Sequence, residues 1–218
     1  LVKGEVVTAP NQVWVSDITY LRTRENFVYL ALITDKFSRK IVGWHVGDSL
    51  EAIGCVRALD HALAELPAGC QPIHHSDQGS QYCCHEYVKR LQEAGMAISM
   101  TETNHCAENA LAERINGILK QEYGLGEELP SKEVAYQVVA QGIELYNTCR
   151  PHRALKYAIP AQVHAAAAPP PAPPPAGCPA SGARALRHEL RTGVRRPAHV
   201  GATPLADHPV HAASRQVK

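Results

Sequence analysis

Three stretches early in the chain carry the apolar and β-branched residues of a sheet. Residues 13–20 (VWVSDITY) come first, and residues 27–34 (FVYLALIT) are apolar almost without a break. Residues 40–46 (KIVGWHV) come after Asp35-Lys36-Phe37-Ser38-Arg39. Connectors this short predict an antiparallel meander, and a middle strand apolar on both sides predicts a sheet covered on both faces. The period then changes. Residues 50–66 read as a helix, with Ser49 as its N-cap and Pro67 and Gly69 beyond its end. A short strand at 72–75 leads into Ser76-Asp77-Gln78-Gly79-Ser80, and a helix at 84–94 stops at Gly95. A strand at 97–100, a polar loop at 101–104 and helices at 108–123 and 132–146 complete the pattern. The order β-β-β-α-β-α-β-α-α predicts an α/β fold, a mixed five-stranded sheet with helices on both faces.

At residue 165 the pattern stops. Ala165–Ala168 runs into Pro169–Pro171 and Pro173–Pro175, and the remaining sequence is rich in Gly, Ala, Arg and His without periodicity. Such a segment buries too little apolar surface to offset its chain entropy, so residues 165–218 are expected to form a disordered tail. Residues 1–10 are expected to be a linker and residues 11–164 the folded core. The chain's net charge of +1 is unevenly placed: the tail holds seven Lys/Arg against two Asp/Glu, and the rest 15 against 19. An acidic core that handles a polyanion needs bound cations or basic neighbours.

Seven cysteines, an odd number with no CxxC pair, argue against a disulfide scaffold and for a reducing compartment. No run approaches 18 apolar residues, so no membrane partner is expected, and the protein is expected in the cytoplasm. The first residue is Leu1 rather than Met, which reads as the start of a fragment.

Three carboxylates then change the picture. Asp17 stands inside an apolar strand, where a charge is costly without a partner. Asp77 comes after a short strand, although an Asp before a glycine-containing loop is also ordinary turn chemistry. Glu113 lies on the helix at 108–123, where Asn109, Glu113, Asn116 and Lys120 share one face and Leu111, Ile115, Ile118 and Leu119 share the other. Taken alone, Glu113 reads as part of a solvated stripe. Together the three can converge on one point, where carboxylates with few compensating cations bind hard divalent metals suited to phosphoryl displacement.

The motifs around these residues resemble those of DDE-type insertion-sequence transposases and retroviral integrases. The carrying segments are Trp14-Val15-Ser16-Asp17-Ile18-Thr19-Tyr20, Asp35 through Trp44, His74 through Tyr82, Glu108 through Gly117, and Tyr146-Asn147 with Arg150-Pro151-His152-Arg153-Ala154-Leu155. Asp77 and Glu113 are separated by 35 residues, a spacing typical of that group, and Lys120 matches its basic position seven after the glutamate.

The resemblance covers residues 10–164. It implies a ribonuclease-H-like fold and DNA strand cleavage and transfer by a two-metal mechanism. Asp17 would bridge two Mg²⁺ ions, with Mn²⁺ as a substitute, and Asp77 and Glu113 would hold one each. Lys120, Asn116, Arg150 and His152 are implied as DNA-binding residues. Implied partners are DNA, both element ends and target, and further copies of the chain assembled on it, in or near the nucleoid. The motifs that carry the resemblance do not include the family's helix-turn-helix region, so end recognition is expected from a separate protein or region. Ser16 stands where the family often has Thr.

The group His74, His75, Cys83, Cys84, His85, His105 and Cys106 fits no tetrahedral zinc spacing and reads as packed side chains. Gly79 and Gly117 form no phosphate-cradling loop. Trp14 and Trp44 read as core rather than base-stacking residues. Two alternatives stand beside the transposase reading. One is a hydrolytic nuclease of the same fold, and the other a non-catalytic fragment that binds DNA or a full-length transposase and inhibits it.

Overall fold

The computed structural model describes residues 6–101 and 110–166. The tail at 167–218, most of the 101–104 loop, and Asn109, His105 and Cys106 lie outside the described residues.

The first three strands form the expected meander: β1 (Val13–Arg22), β2 (Phe27–Asp35) and β3 (Ile41–Gly47), each antiparallel to the next. β4 (Ile73–Ser76) and β5 (Ala97–Met100) add in parallel on the other side of β1, giving the order β3-β2-β1-β4-β5. Helix α1 (Ala52–Ala64) joins β3 to β4. It begins after Glu51 rather than after the expected Ser49, and Glu51 makes no side-chain cap. Helices α2 (Ser80–Cys83) and α3 (His85–Glu93) join β4 to β5, with Cys84 capping α3 by accepting from the Tyr87 amide. Two longer helices come next, α4 (Ala110–Glu122) and α5 (Lys132–Cys149), and then a 3-10 turn at Arg153–Leu155 and α6 (Pro160–Ala166).

Period-2 alternation along β1 and β2 divides the core into two layers. Leu21, Val28, Leu30 and Leu32 face α4 and α5, packing on Ile115, Ile118, Leu119, Val139, Ile143 and Tyr146. Trp14, Ala31, Ile33 and Val42 face α1 and α3, packing on Cys55, Leu59, Ala62, Tyr87 and Leu91. Helices therefore cover both faces, as the apolar middle strand requires. Gly43 permits the closest approach: a Cβ there would lie 2.7 Å from the Ala62 Cβ and against the Ala58 carbonyl.

The β2–β3 pairing is irregular between Ile33 and Thr34. The end of α5 takes up the slack. Asn147 accepts from the Ile41 amide (2.9 Å) and donates to the Ile41 carbonyl (3.0 Å), while the Tyr146 hydroxyl donates to the Arg39 carbonyl. At the same turn Asp35 is fully buried and accepts from the Asn11 amide, the Ser38 amide and the Ser38 hydroxyl. Burial pushes its pKa up, but His164, Ser38 and Asn11 together hold it below the ordinary value.

Candidate active site

β1 and β4 pair only over Val13–Val15 and Ile73–His75, with a constant offset of 60. Two residues beyond the last pair, the same offset sets Asp77 beside Asp17. β4 ends at Ser76, so Asp77 stands just past the carboxyl end of β4 and Asp17 midway along β1 beside it. The alternation that sends Val13 and Val15 toward Ala112 of α4 sends Asp17 the same way. It meets Asn116, whose Nδ2 donates to Asp17 Oδ2 at 2.8 Å. Glu113 lies one turn earlier on α4, exposed.

The electrostatics tie the three carboxylates together. The Asp17 pKa is pushed up to about 6, first by burial and then, less strongly, by the charges of Asp77 and Glu113. Hydrogen bonds from the Ile18 backbone and from Asn116 pull it back only in part, and no cationic side chain is among the causes. Asp77 is exposed and accepts from the Gly79 amide at 3.0 Å, an Asx turn that fixes the loop leaving β4.

A divalent cation suits this donor chemistry, since Asp17 ionises against two like charges. Asn116 Oδ1, beside it, is buried without a hydrogen-bond partner. The arrangement is nevertheless looser than a preformed cage: among the described residues no three His, Cys, Asp or Glu groups are grouped closely enough to hold a metal ion.

The remaining predicted site residues divide. Lys120 is on the expected face of α4, its Nζ 4.5 Å from the centre of the Tyr20 ring. Asn116 is only 6% exposed, so it orients Asp17 and presents little surface to DNA. Arg150 is turned inward on Glu122, with Nε and an η-nitrogen each 2.6 Å from a carboxylate oxygen. His152 is buried against Tyr146, ring centres 5.0 Å apart, and is kept neutral with a pKa near 4, mainly by burial and secondarily by Arg150 and Arg39. Arg150 and His152 thus join α5 to α4 and to the 3-10 turn.

Sequence reasoning missed a network behind Asp17. His74 Nε2 lies 2.7 Å from the Ser16 hydroxyl and 2.8 Å from the Tyr87 hydroxyl, linking β1, β4 and α3. Burial and the neighbouring His75 push the His74 pKa down to about 3, so it is neutral. The alternation of Ser16 with Asp17 and of His74 with His75 carried the signal: each pair sends one side chain to each face of the sheet.

Comparison with known proteins decides the family. The integrase core domain matches in two overlapping parts, residues 7–106 and residues 94–160. The chain belongs to the integrase core domain family. It is similar to the Shigella sonnei transposase for insertion sequence element IS629, 47% identical over 116 residues, which is 53% of this chain and 38% of that protein. It is also similar to the insertion element IS600 uncharacterized 31 kDa protein of Shigella sonnei, 39% identical over 157 residues, 71% of this chain and 57% of that one. Transposase InsF for insertion sequence IS3A of Escherichia coli is 37% identical over 146 residues, 66% of this chain and 51% of InsF. The matched integrase core thus spans about half the length of these relatives. Among solved structures it resembles a simian T-cell lymphotropic virus intasome chain (TM-score 0.63, 20% identity, covering 83% of this chain and 63% of that one). It also resembles the HTLV-2 integrase catalytic core domain in complex with magnesium (TM-score 0.58, 18% identity, covering 73% of this chain and 99% of that one). These likenesses place the fold in the ribonuclease-H-like class.

Proposed function

We propose that this chain is the catalytic core of an insertion-sequence transposase that cuts DNA and joins the ends to a target, with Asp17, Asp77 and Glu113 as its catalytic carboxylates. One observation carries the reading: Asp17, on β1, has its ionisation opposed first by burial and then by Asp77, just past β4, and Glu113 on α4. A structural carboxylate is ordinarily paired with a cation, whereas this one is buried beside two like charges with only hydrogen bonds to offset them, which is a mark of a functional site.

Divalent cations, two Mg²⁺ or Mn²⁺ in this reading, supply charge neutralisation and activation of a water or a 3′-hydroxyl when bound. The chain's own residues prepare that chemistry. Asn116 and the Ile18 backbone hold the Asp17 carboxylate in place. The Gly79 amide anchors Asp77, and Glu113 stands in the first turn of α4. Lys120 pairs with no carboxylate among the described residues and offers its ammonium to a phosphate.

Residues 11–164 form the core in this reading, with 1–10 as linker and 165–218 as a basic tail. The partners are element-end and target DNA, further copies of the chain, and a separate helix-turn-helix region for end recognition, all at the cytoplasmic nucleoid. Among the described residues no helix is long and apolar enough to cross a membrane.

The test is a strand-transfer assay with a labelled 3′-hydroxyl donor end and Mg²⁺ or Mn²⁺. Joined product is expected from the unmodified chain and from none of Asp17→Asn, Asp77→Asn or Glu113→Gln. Cleavage by water alone would replace the reading with a hydrolytic nuclease. DNA binding without any cleavage would replace it with an inhibitory fragment.

A further inference from the structure

Past Val15, β1 has no β4 partner until Leu129 pairs beside Arg22 and Arg24, and on this stretch lies an exposed aromatic pair. Tyr20 is 61% and Phe27 45% exposed, and their rings meet edge to face with centres 5.5 Å apart. They sit diagonally across β1 and β2, since Tyr20 pairs with Tyr29 and Arg22 with Phe27. Paired aromatic rings left facing water point to something that covers them.

Two observations say what the cover is. Lys120 Nζ lies over the Tyr20 ring at 4.5 Å and takes no carboxylate partner among the described residues, so a cation is already parked on the ledge. Tyr20 is three residues beyond Asp17 on the same strand, about 10 Å at the rise of a β-strand, and its side chain leaves the other face of the sheet, where Lys120 of α4 still reaches it. An aromatic face, a free ammonium and a carboxylate site in that order match a nucleotide: a base for the ring, a phosphate for the lysine, a neighbouring phosphodiester for the carboxylates. A paired base inside a duplex hides its face in the stack, so the ledge selects an unpaired one.

We infer that Tyr20 and Phe27, with Lys120, form a stacking platform for an unpaired DNA base adjoining the strand that Asp17 acts on. This rests on the proposed DNA-processing function. Stacking on one aromatic side chain contributes about 1–3 kcal/mol by alanine substitution, so losing the platform weakens binding of a frayed or overhanging end by roughly 5- to 150-fold. Tyr20→Phe keeps the ring and is expected to keep the affinity.

The experiment uses the full chain without metal, so that catalysis plays no part. Duplexes carrying 2-aminopurine at an unpaired terminal position, and matched blunt duplexes, are titrated against the unmodified protein, Tyr20→Leu, Tyr20→Phe and Phe27→Leu, with circular dichroism confirming that each variant is folded. The expected result is quenching of the unpaired 2-aminopurine by the unmodified chain and Tyr20→Phe, its loss in Tyr20→Leu and its weakening in Phe27→Leu, with blunt-duplex affinity held within about twofold. If duplexes bind but quenching is the same in Tyr20→Leu, the platform is refuted while the DNA reading survives. If Tyr20→Leu changes only the sedimentation of the protein, the ledge is a contact between copies and the inference is again refuted. If no DNA binds to any variant, the DNA reading itself falls, and the platform with it.

Discussion

Replacing Asp17 by Asn should make the metal-free protein more stable. The folded Asp17 carboxyl has a pKa near 6 where the ordinary value is 3.8, so the native state holds its proton more tightly than the unfolded chain does. The contribution of Asp17 to stability therefore falls as pH rises from 3.8 toward 6 and stays low above that. The full displacement corresponds to about 3 kcal/mol. Asp17 keeps part of its surface in water, and screening reduces the figure to about 1–2 kcal/mol. Asparagine has the same shape, carries no charge and still accepts from Asn116, so the variant escapes first the cost of burying a charge and then the repulsion of Asp77 and Glu113. For a folded unit of this size the gain is roughly 2–8 °C in melting temperature at pH 7.5.

Calorimetry or near-UV circular dichroism of both proteins between pH 4.5 and 7.5 reads this directly. The gap should widen with pH and level off above 6. Saturating Mg²⁺ should then raise the melting temperature of the unmodified protein and leave Asp17→Asn nearly unchanged, because only the native carboxylate gains from a bound cation. Equal melting temperatures at pH 7.5, or a gap that does not depend on pH, would refute the reasoning, since either outcome means that Asp17 is not ionising against its neighbours.

The same structure gives other expectations. Gly43→Ala should cost about 1–3 kcal/mol in urea unfolding, because the added methyl meets α1 at the Ala58 carbonyl and the Ala62 Cβ. Acid should destabilise the fold below pH 6.5, since His152 and His74 take up protons in the native state only near 4 and 3. His152→Phe should flatten that dependence, with chemical denaturation between pH 4.5 and 7 as the measure. Arg150→Ala should lower stability by about 1 kcal/mol through the lost Glu122 pair, and leave blunt-duplex affinity unchanged in a fluorescence-anisotropy titration.

What could be read from the sequence was whatever depends on near neighbours. The strands announce themselves because β2 is apolar on both faces, and α4 and α5 because their apolar positions recur with helical period. The four-residue α2 is too short to show a period, and α6 hides because its Pro-Ala sequence passes for the start of the tail. Asp17 is conspicuous as a lone charge in an apolar strand. Asp77 is not, because its placement depends on the parallel offset of β4 against β1, and a register is not written in either strand alone. Asn116 shows the limit most sharply. A helical wheel puts it on one face with Glu113 and Lys120, and that is correct. The wheel cannot say that the edge of β1 covers the middle of that face, turning Asn116 into a buried brace for Asp17 while Glu113 and Lys120 stay at its margins. Arg150 and His152 show the same limit. A cation and an imidazole in a basic motif give no sign in the sequence that the fold sets Glu122 and Tyr146 against them. A polar residue's role is set by what the fold brings to it, and at this site the deciding contact, Asn116 to Asp17, spans 99 positions of sequence.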